Sequence, residues 1–93
     1  MMEEESVEYP IDGTLDLHVF QPKDIPEVLH SYIEACLEKE IYQLRVVHGK
    51  GKGVQRARVA SILTKHPDVE RFRTAGEDGG GWGATLVNLK KPN

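Results

Sequence analysis

The chain has 93 residues, enough for one domain with a single core two layers deep and too few for a second. Its hydrophobic fraction of 39% and charged fraction of 29% are those of a soluble globular protein, and no apolar run approaches the ~20 residues of a membrane span. A net charge of −3 does not suggest a uniformly basic nucleic-acid binder, and the lone Cys36 excludes a disulfide framework or a thiolate zinc site and fits a reducing cytoplasm.

The opening MMEEESVEYP is acidic where a secretory signal would be basic and then apolar, so export is not expected. Residues 1–12 read as a flexible acidic segment leading into one domain over 13–91. TLDLHVF alternates Leu15 and Leu17 with Asp16 and His18, which predicts a strand with one buried face. Between Pro22 and Glu40, Ile25, Val28, Leu29, Tyr32, Ile33, Cys36 and Leu37 recur at helical spacing, with Asp24 and Pro26 suited to the first turn and Cys36 on the core side. YQLRVV predicts a second strand. Val54 to Lys65 predicts a second helix through Val59, Ile62 and Leu63, ended by Pro67. His30 falls on a helix surface and His66 at a helix end that favours positive charge, both as structural residues. VERFRT and ATLVNL complete the set, separated by the glycine-rich GEDGGGWG.

The order βαβαββ predicts an α/β two-layer sandwich, a four-stranded mixed sheet with two helices on one face. Right-handed crossovers make the first three strands parallel, and the short last connection makes the fourth antiparallel. His18, HGKGKG and GGGWG then meet on the rim at the carboxyl ends of the strands, where open α/β sheets bind ligands. Parity puts Gln43, Arg45, Arg71 and Arg73 with Asp16 and His18 on the open face, and His48 on the helix-facing side. A metal site of two histidines and one carboxylate would therefore need a bend or bulge at a strand end.

Charge is strongly polarised along the chain. From Ile41 to Pro67 there is no Asp or Glu, while Arg45, Lys50, Lys52, Arg56, Arg58 and Lys65 are basic. Within that stretch, Gly49, Gly51 and Gly53 alternate with Lys50 and Lys52 just before a helix, a composition suited to cradling an oxyanion. The spacing is neither that of a Walker A loop nor that of a dinucleotide fingerprint.

Three short motifs carry a family resemblance. Leu15-Asp16-Leu17-His18, His48-Gly49-Lys50-Gly51 and Gly80-Gly81-Trp82-Gly83-Ala84-Thr85 match, in order and approximate spacing, the signatures L-D-L-H, H-G-x-G and G-G-x-G-x-T of the small MutS-related (Smr) domain. The chain resembles that family over roughly residues 14 to 89. The resemblance implies a compact α/β sandwich, binding of DNA or RNA and, in several members, metal-assisted nicking. One departure is Val19, where many members have glycine; a side chain there can narrow the rim.

The candidate catalytic residues are Asp16, His18 and His48. Asp16 can orient the His18 imidazole, share a divalent ion with it, or simply cap the backbone beside an ordinary exposed histidine. His18 would move a proton to or from the reacting oxygens, and His48 either binds phosphate or fastens its loop. Gly49, Lys50, Gly51, Lys52, Gly53 and Arg56 on one side, and Gly81, Trp82 and Gly83 on the other, are candidate phosphate and nucleic-acid contacts, with Trp82 stacking on a base or packing on the rim. A protein metal site is not expected, although Mg2+ or Mn2+ would be the cofactor of a nicking reaction. Two functions fit: a cytoplasmic, monomeric endonuclease acting on DNA or RNA, and a non-catalytic module for RNA or the ribosome, neither of them at a membrane.

Overall fold

A computed structural model of the protein describes residues 11–49, 54–75 and 83–92. Its strands are β1 (Thr14–Asp16), β2 (Gln43–Val47), β3 (Val69–Thr74) and β4 (Ala84–Leu89), and its helices are α1 (Ile25–Glu38) and α2 (Val54–Lys65). The expected order βαβαββ is therefore realised, with β1 ending earlier than the alternation of TLDLHVF predicts. The reason is local. The Asp16 carboxylate accepts the His18 backbone N–H at 2.9 Å, and the Phe20 N–H bonds to the Leu17 carbonyl at 3.1 Å, which turns Leu17–Val19 into one 3-10 turn.

The first helix follows a second 3-10 turn, Pro22–Asp24, and carries Pro26 in its first turn, where a missing N–H costs nothing. It stops in a Schellman motif: Glu40 N–H reaches the Leu37 carbonyl, and Ile41 N–H reaches that of Cys36 at 2.8 Å. Glu40 holds the left-handed position of the motif at φ 61°, where glycine is the usual occupant.

The sheet runs β1-β2-β4-β3, with β1 parallel to β2 and β4 antiparallel to both its neighbours. The first three strands therefore point one way and β4 the other, as the connection lengths predict. One face of the sheet presents Leu15, Leu44, Val46 and Val87 to a single core, which also takes Ile25, Leu29 and Ile33 from α1 and Val59 and Leu63 from α2. Both helices thus cover the same face. The opposite face carries Thr14, Arg45, Leu86 and Arg73 in cross-strand register.

Two polar clips fasten this frame. The Tyr32 hydroxyl accepts the Gly13 N–H and donates to the Thr14 carbonyl, both at 3.1 Å, tying α1 to the start of β1. Ile11 packs against the core just ahead of that point. The second clip differs from the sequence expectation for His66. Rather than offering a positive charge to the helix end, its buried ring stacks on His30 with centroids 4.8 Å apart, and its Nδ1 accepts the Asp68 N–H at 3.0 Å. An accepting Nδ1 requires the neutral tautomer. Burial first, and the neighbouring His30 second, lower the His66 pKa from 6.5.

Because the unfolded chain takes up the His66 proton at a higher pH than the folded one, this ring stabilises the fold fully above 6.5, and its contribution is lost as pH falls toward the lowered folded value. Thermal melting should therefore show stability declining as pH falls below 6.5, with a His66→Gln variant less stable at neutral pH but flatter as the medium is acidified. Asp16, whose carboxyl lies below its ordinary 3.8, adds a separate loss only at more acidic pH.

Candidate functional site

The carboxyl ends of β1 and β2 and the start of β4 converge, as the topology predicts. His48 and Gly49, directly after β2, both donate their backbone N–H to the Gly83 carbonyl, at 2.8 and 2.9 Å. Gly83 immediately precedes β4, so this one carbonyl joins the HGxG and GGxGxT segments. The Gly49 N–H is consequently engaged within the protein, not held free for an anion as the glycine-nest reading anticipates. Ala75 N–H, at the end of β3, reaches the Ala84 carbonyl at 2.9 Å and closes the β3–β4 end of the rim.

Asp16 and His18 come together, though not as alternate residues of one strand. Oδ1 of Asp16 accepts the His18 backbone N–H and, at 2.7 Å, a hydrogen from ring Nδ1. A carboxylate only accepts, so the neutral ring carries its hydrogen on Nδ1 and leaves Nε2 with a lone pair. The backbone bond is the largest cause of the lowered Asp16 pKa, and the ring bond is the next. Both side chains are more than half exposed, 61% for His18 and 55% for Asp16, so solvent screens the pair. The 3-10 turn, rather than ion-pair strength, sets its geometry.

The edge of the imidazole that carries Nε2 lies against Gly49. A Cβ built on Gly49 would sit 2.8 Å from His18 Nε2, inside contact distance, and Gly49 has φ +81°, a conformation that L side chains rarely adopt. This glycine thus has two reasons to lack a side chain, one from its backbone and one from the ring beside it. Val19 follows with 70% of its surface in solvent.

His48 keeps the helix-facing parity read from its sequence position and is 6% exposed. Its Nδ1 bonds to the Gly49 carbonyl at 2.9 Å and its Nε2 to the Thr85 hydroxyl at 2.9 Å. With both nitrogens engaged, the ring fastens the loop, one of the two roles open to it from sequence. Thr85, the last residue of the third motif, is the partner that sequence reasoning left without a role; its signal was the motif position itself. Arg56 lies half-buried in the first turn of α2. Lys50, Gly51, Lys52, Gly53, Gly81 and Trp82 lie outside the described residues. Among the described residues, no three His, Cys, Asp or Glu side chains are grouped to hold a metal ion.

Compared with known families, residues 15–90 match the model of the Smr domain. The chain belongs to the Smr family. This Smr domain is 38% identical over 85 residues to the ribosome rescue factor SmrB of Aliivibrio fischeri strain MJ11, covering 91% of the chain and 48% of that relative. It is 33% identical over 76 residues to the endonuclease MutS2 of Brevibacillus brevis, covering 82% of the chain and 10% of the endonuclease. The chain therefore spans about half the length of the rescue factor and a tenth of the endonuclease. Among solved structures, YdaL, a stand-alone small MutS-related protein from Escherichia coli, superposes with a TM-score of 0.79 at 30% identity, over 90% of this chain and 69% of that one. The Smr domain of Thermus thermophilus MutS2 gives 0.71 at 31% identity, over 83% of this chain and 96% of that one.

The packing at Gly49 makes a direct prediction for this Smr domain. Gly49→Ala should cost about 1–2 kcal/mol in chemical denaturation, the scale of a side chain forced into the left-handed region. It should also push the His18 ring aside, read as a change in the imidazole resonances of that residue by NMR. A variant of wild-type stability with unmoved His18 signals would show that the ring does not depend on this glycine.

Proposed function

We propose that this Smr domain binds nucleic acid across its carboxyl-terminal rim and cleaves phosphodiester bonds there, with His18 as the proton-transfer group and Asp16 as the residue that positions it. The observation that carries the reading is the His18 ring, held through Nδ1 by a carboxylate, its Nε2 lone pair on an exposed rim beside a residue that must be glycine. In a hydrolytic or transesterification step, Nε2 takes the proton from the attacking oxygen, a water or a ribose hydroxyl, as the new P–O bond forms and the old one breaks. The imidazolium that results is stabilised by Asp16, and its proton is available to the departing oxygen. Relatives named as a ribosome rescue factor and an endonuclease support RNA as the first substrate to test and ribosomes among the partners. The reading takes the domain as a monomer acting in the cytoplasm. None of the described helices is long and apolar enough to cross a membrane.

A resident divalent ion does not fit the described donors. Oδ1 of Asp16 already accepts two hydrogen bonds from His18, and among the described residues no third His, Cys, Asp or Glu joins the pair to complete a site for Mg2+ or Mn2+. An ion used here would draw its other ligands from substrate phosphates and water.

One observation favours the second reading, a binding module without chemistry. His48 spends both ring nitrogens on Gly49 and Thr85, so the rim does not pair His18 with a second free imidazole. Single-turnover cleavage of labelled structured RNA and supercoiled plasmid, with binding measured in parallel, separates the two. His18→Ala should lose ~100-fold or more in rate with binding nearly unchanged. Cleavage by His18→Ala at the parental rate would remove His18 from the mechanism. Salt-sensitive binding by a wild-type protein that cuts neither substrate would leave the binding module.

A further inference from the structure

The sheet face that both helices leave bare is organised in three cross-strand rows. At the rim lie exposed Asp16, half-buried Val47 and buried Ala84; next come Thr14, Arg45, Leu86 and Arg73; beyond them lie Gln43, Asn88 and Arg71. Successive rows on one face of a strand are ~7 Å apart, so the arginine row begins one step from Asp16 and the last row two steps from it. A shallow trough of about 410 Å3 lies along this face, lined by Thr14, Gln43, Arg45, Arg73 and Asn88, with Asp12 at its edge, where its carboxylate accepts the Thr14 N–H at 3.0 Å. Among the described residues, neither Arg45 nor Arg73 forms an ion pair or a side-chain hydrogen bond. Arg71 has only an exposed contact with Glu70 at 3.6 Å.

We infer that this open face is a track for the sugar-phosphate backbone of single-stranded nucleic acid, leading the strand to His18. The inference rests on the proposed nucleic-acid function and adds where the strand runs. Arg45 and Arg73 flank Leu86 from neighbouring strands, two like charges fixed on a hydrogen-bonded sheet, and a phosphate is the anion whose geometry matches a guanidinium fork. Gln43 and Asn88, paired in the next row, offer carboxamides to sugar or base edges. Shape selects the single strand. A duplex major groove ~12 Å wide admits a helix or a two-stranded ribbon, not the face of a four-stranded sheet. Among the described residues these three rows contain no aromatic ring, so along them the contacts are to backbone rather than stacked bases.

The test is fluorescence anisotropy with labelled oligouridylate, oligoadenylate and a duplex of equal length over a salt series. The proteins are the wild type, an Arg45→Gln, Arg73→Gln double variant and the corresponding Arg45→Lys, Arg73→Lys variant, each checked by thermal melting. Wild type should prefer both single strands to the duplex and bind them alike. The double Gln variant should bind more weakly and reduce the salt slope by about 1.4, at ~0.7 per lost phosphate contact, while the Lys variant keeps the slope. A folded Gln variant with wild-type affinity and slope would overturn the track and leave the rim function standing. Duplex preference would overturn the single-strand assignment, and a wild type that binds no strand at low salt would overturn both readings.

Discussion

One carboxylate oxygen, Oδ1 of Asp16, does three things at once: it ends β1, turns the next three residues, and aims the His18 ring. Its two hydrogen bonds reach the same residue, one to backbone and one to side chain, so a single acceptor serves both the turn and the ring. Leu17, inside that turn, is buried in the core, which couples the turn to the packing beneath it. Across the rim, the Gly83 carbonyl performs a comparable service by joining the end of β2 to the start of β4. The site is built from backbone geometry, and its side chains take their positions from it.

A second constraint follows from size. A small chain has enough apolar surface for one core, and both helices are used on the same side of the sheet. Among the described residues no helix covers the other side, and Thr14, Gln43, Asn88 and arginines make it tolerable to water. The basic character of that face offsets the acidic balance of the whole chain and shows why net charge is a poor guide to what a small domain can bind.

Periodicity made most of the frame legible: α2, β3 and β4 fall where the apolar spacing predicts, and connection lengths fix the strand directions. Parity placed His48 on the core side correctly, because β2 continues straight into it. The same reasoning misjudged how Asp16 meets His18, since a side-chain bond to a backbone N–H competes with the strand ladder and leaves no trace in hydrophobic alternation. His66 departs from its local pattern for a related reason: a helix-end position suggests a charge, but burial and a ring partner on the other helix depend on packing that the local sequence does not display. The bond between His48 and Thr85, 37 positions apart, was visible only as co-occurrence in the family motifs.

The buried Cys36 has a practical consequence. Burial pushes its thiol pKa up to about 11, so at neutral pH the side chain is held as the thiol, and the core shields it from reagents. The native protein is therefore nearly inert to maleimides and disulfide reagents, whereas any excursion that separates α1 from the sheet exposes a thiol of ordinary reactivity. The rate of modification at this one atom is a built-in clock for core opening, readable by mass alone. The same silence lets a cysteine placed on the arginine-lined face carry a dye or cross-linker with no competing label.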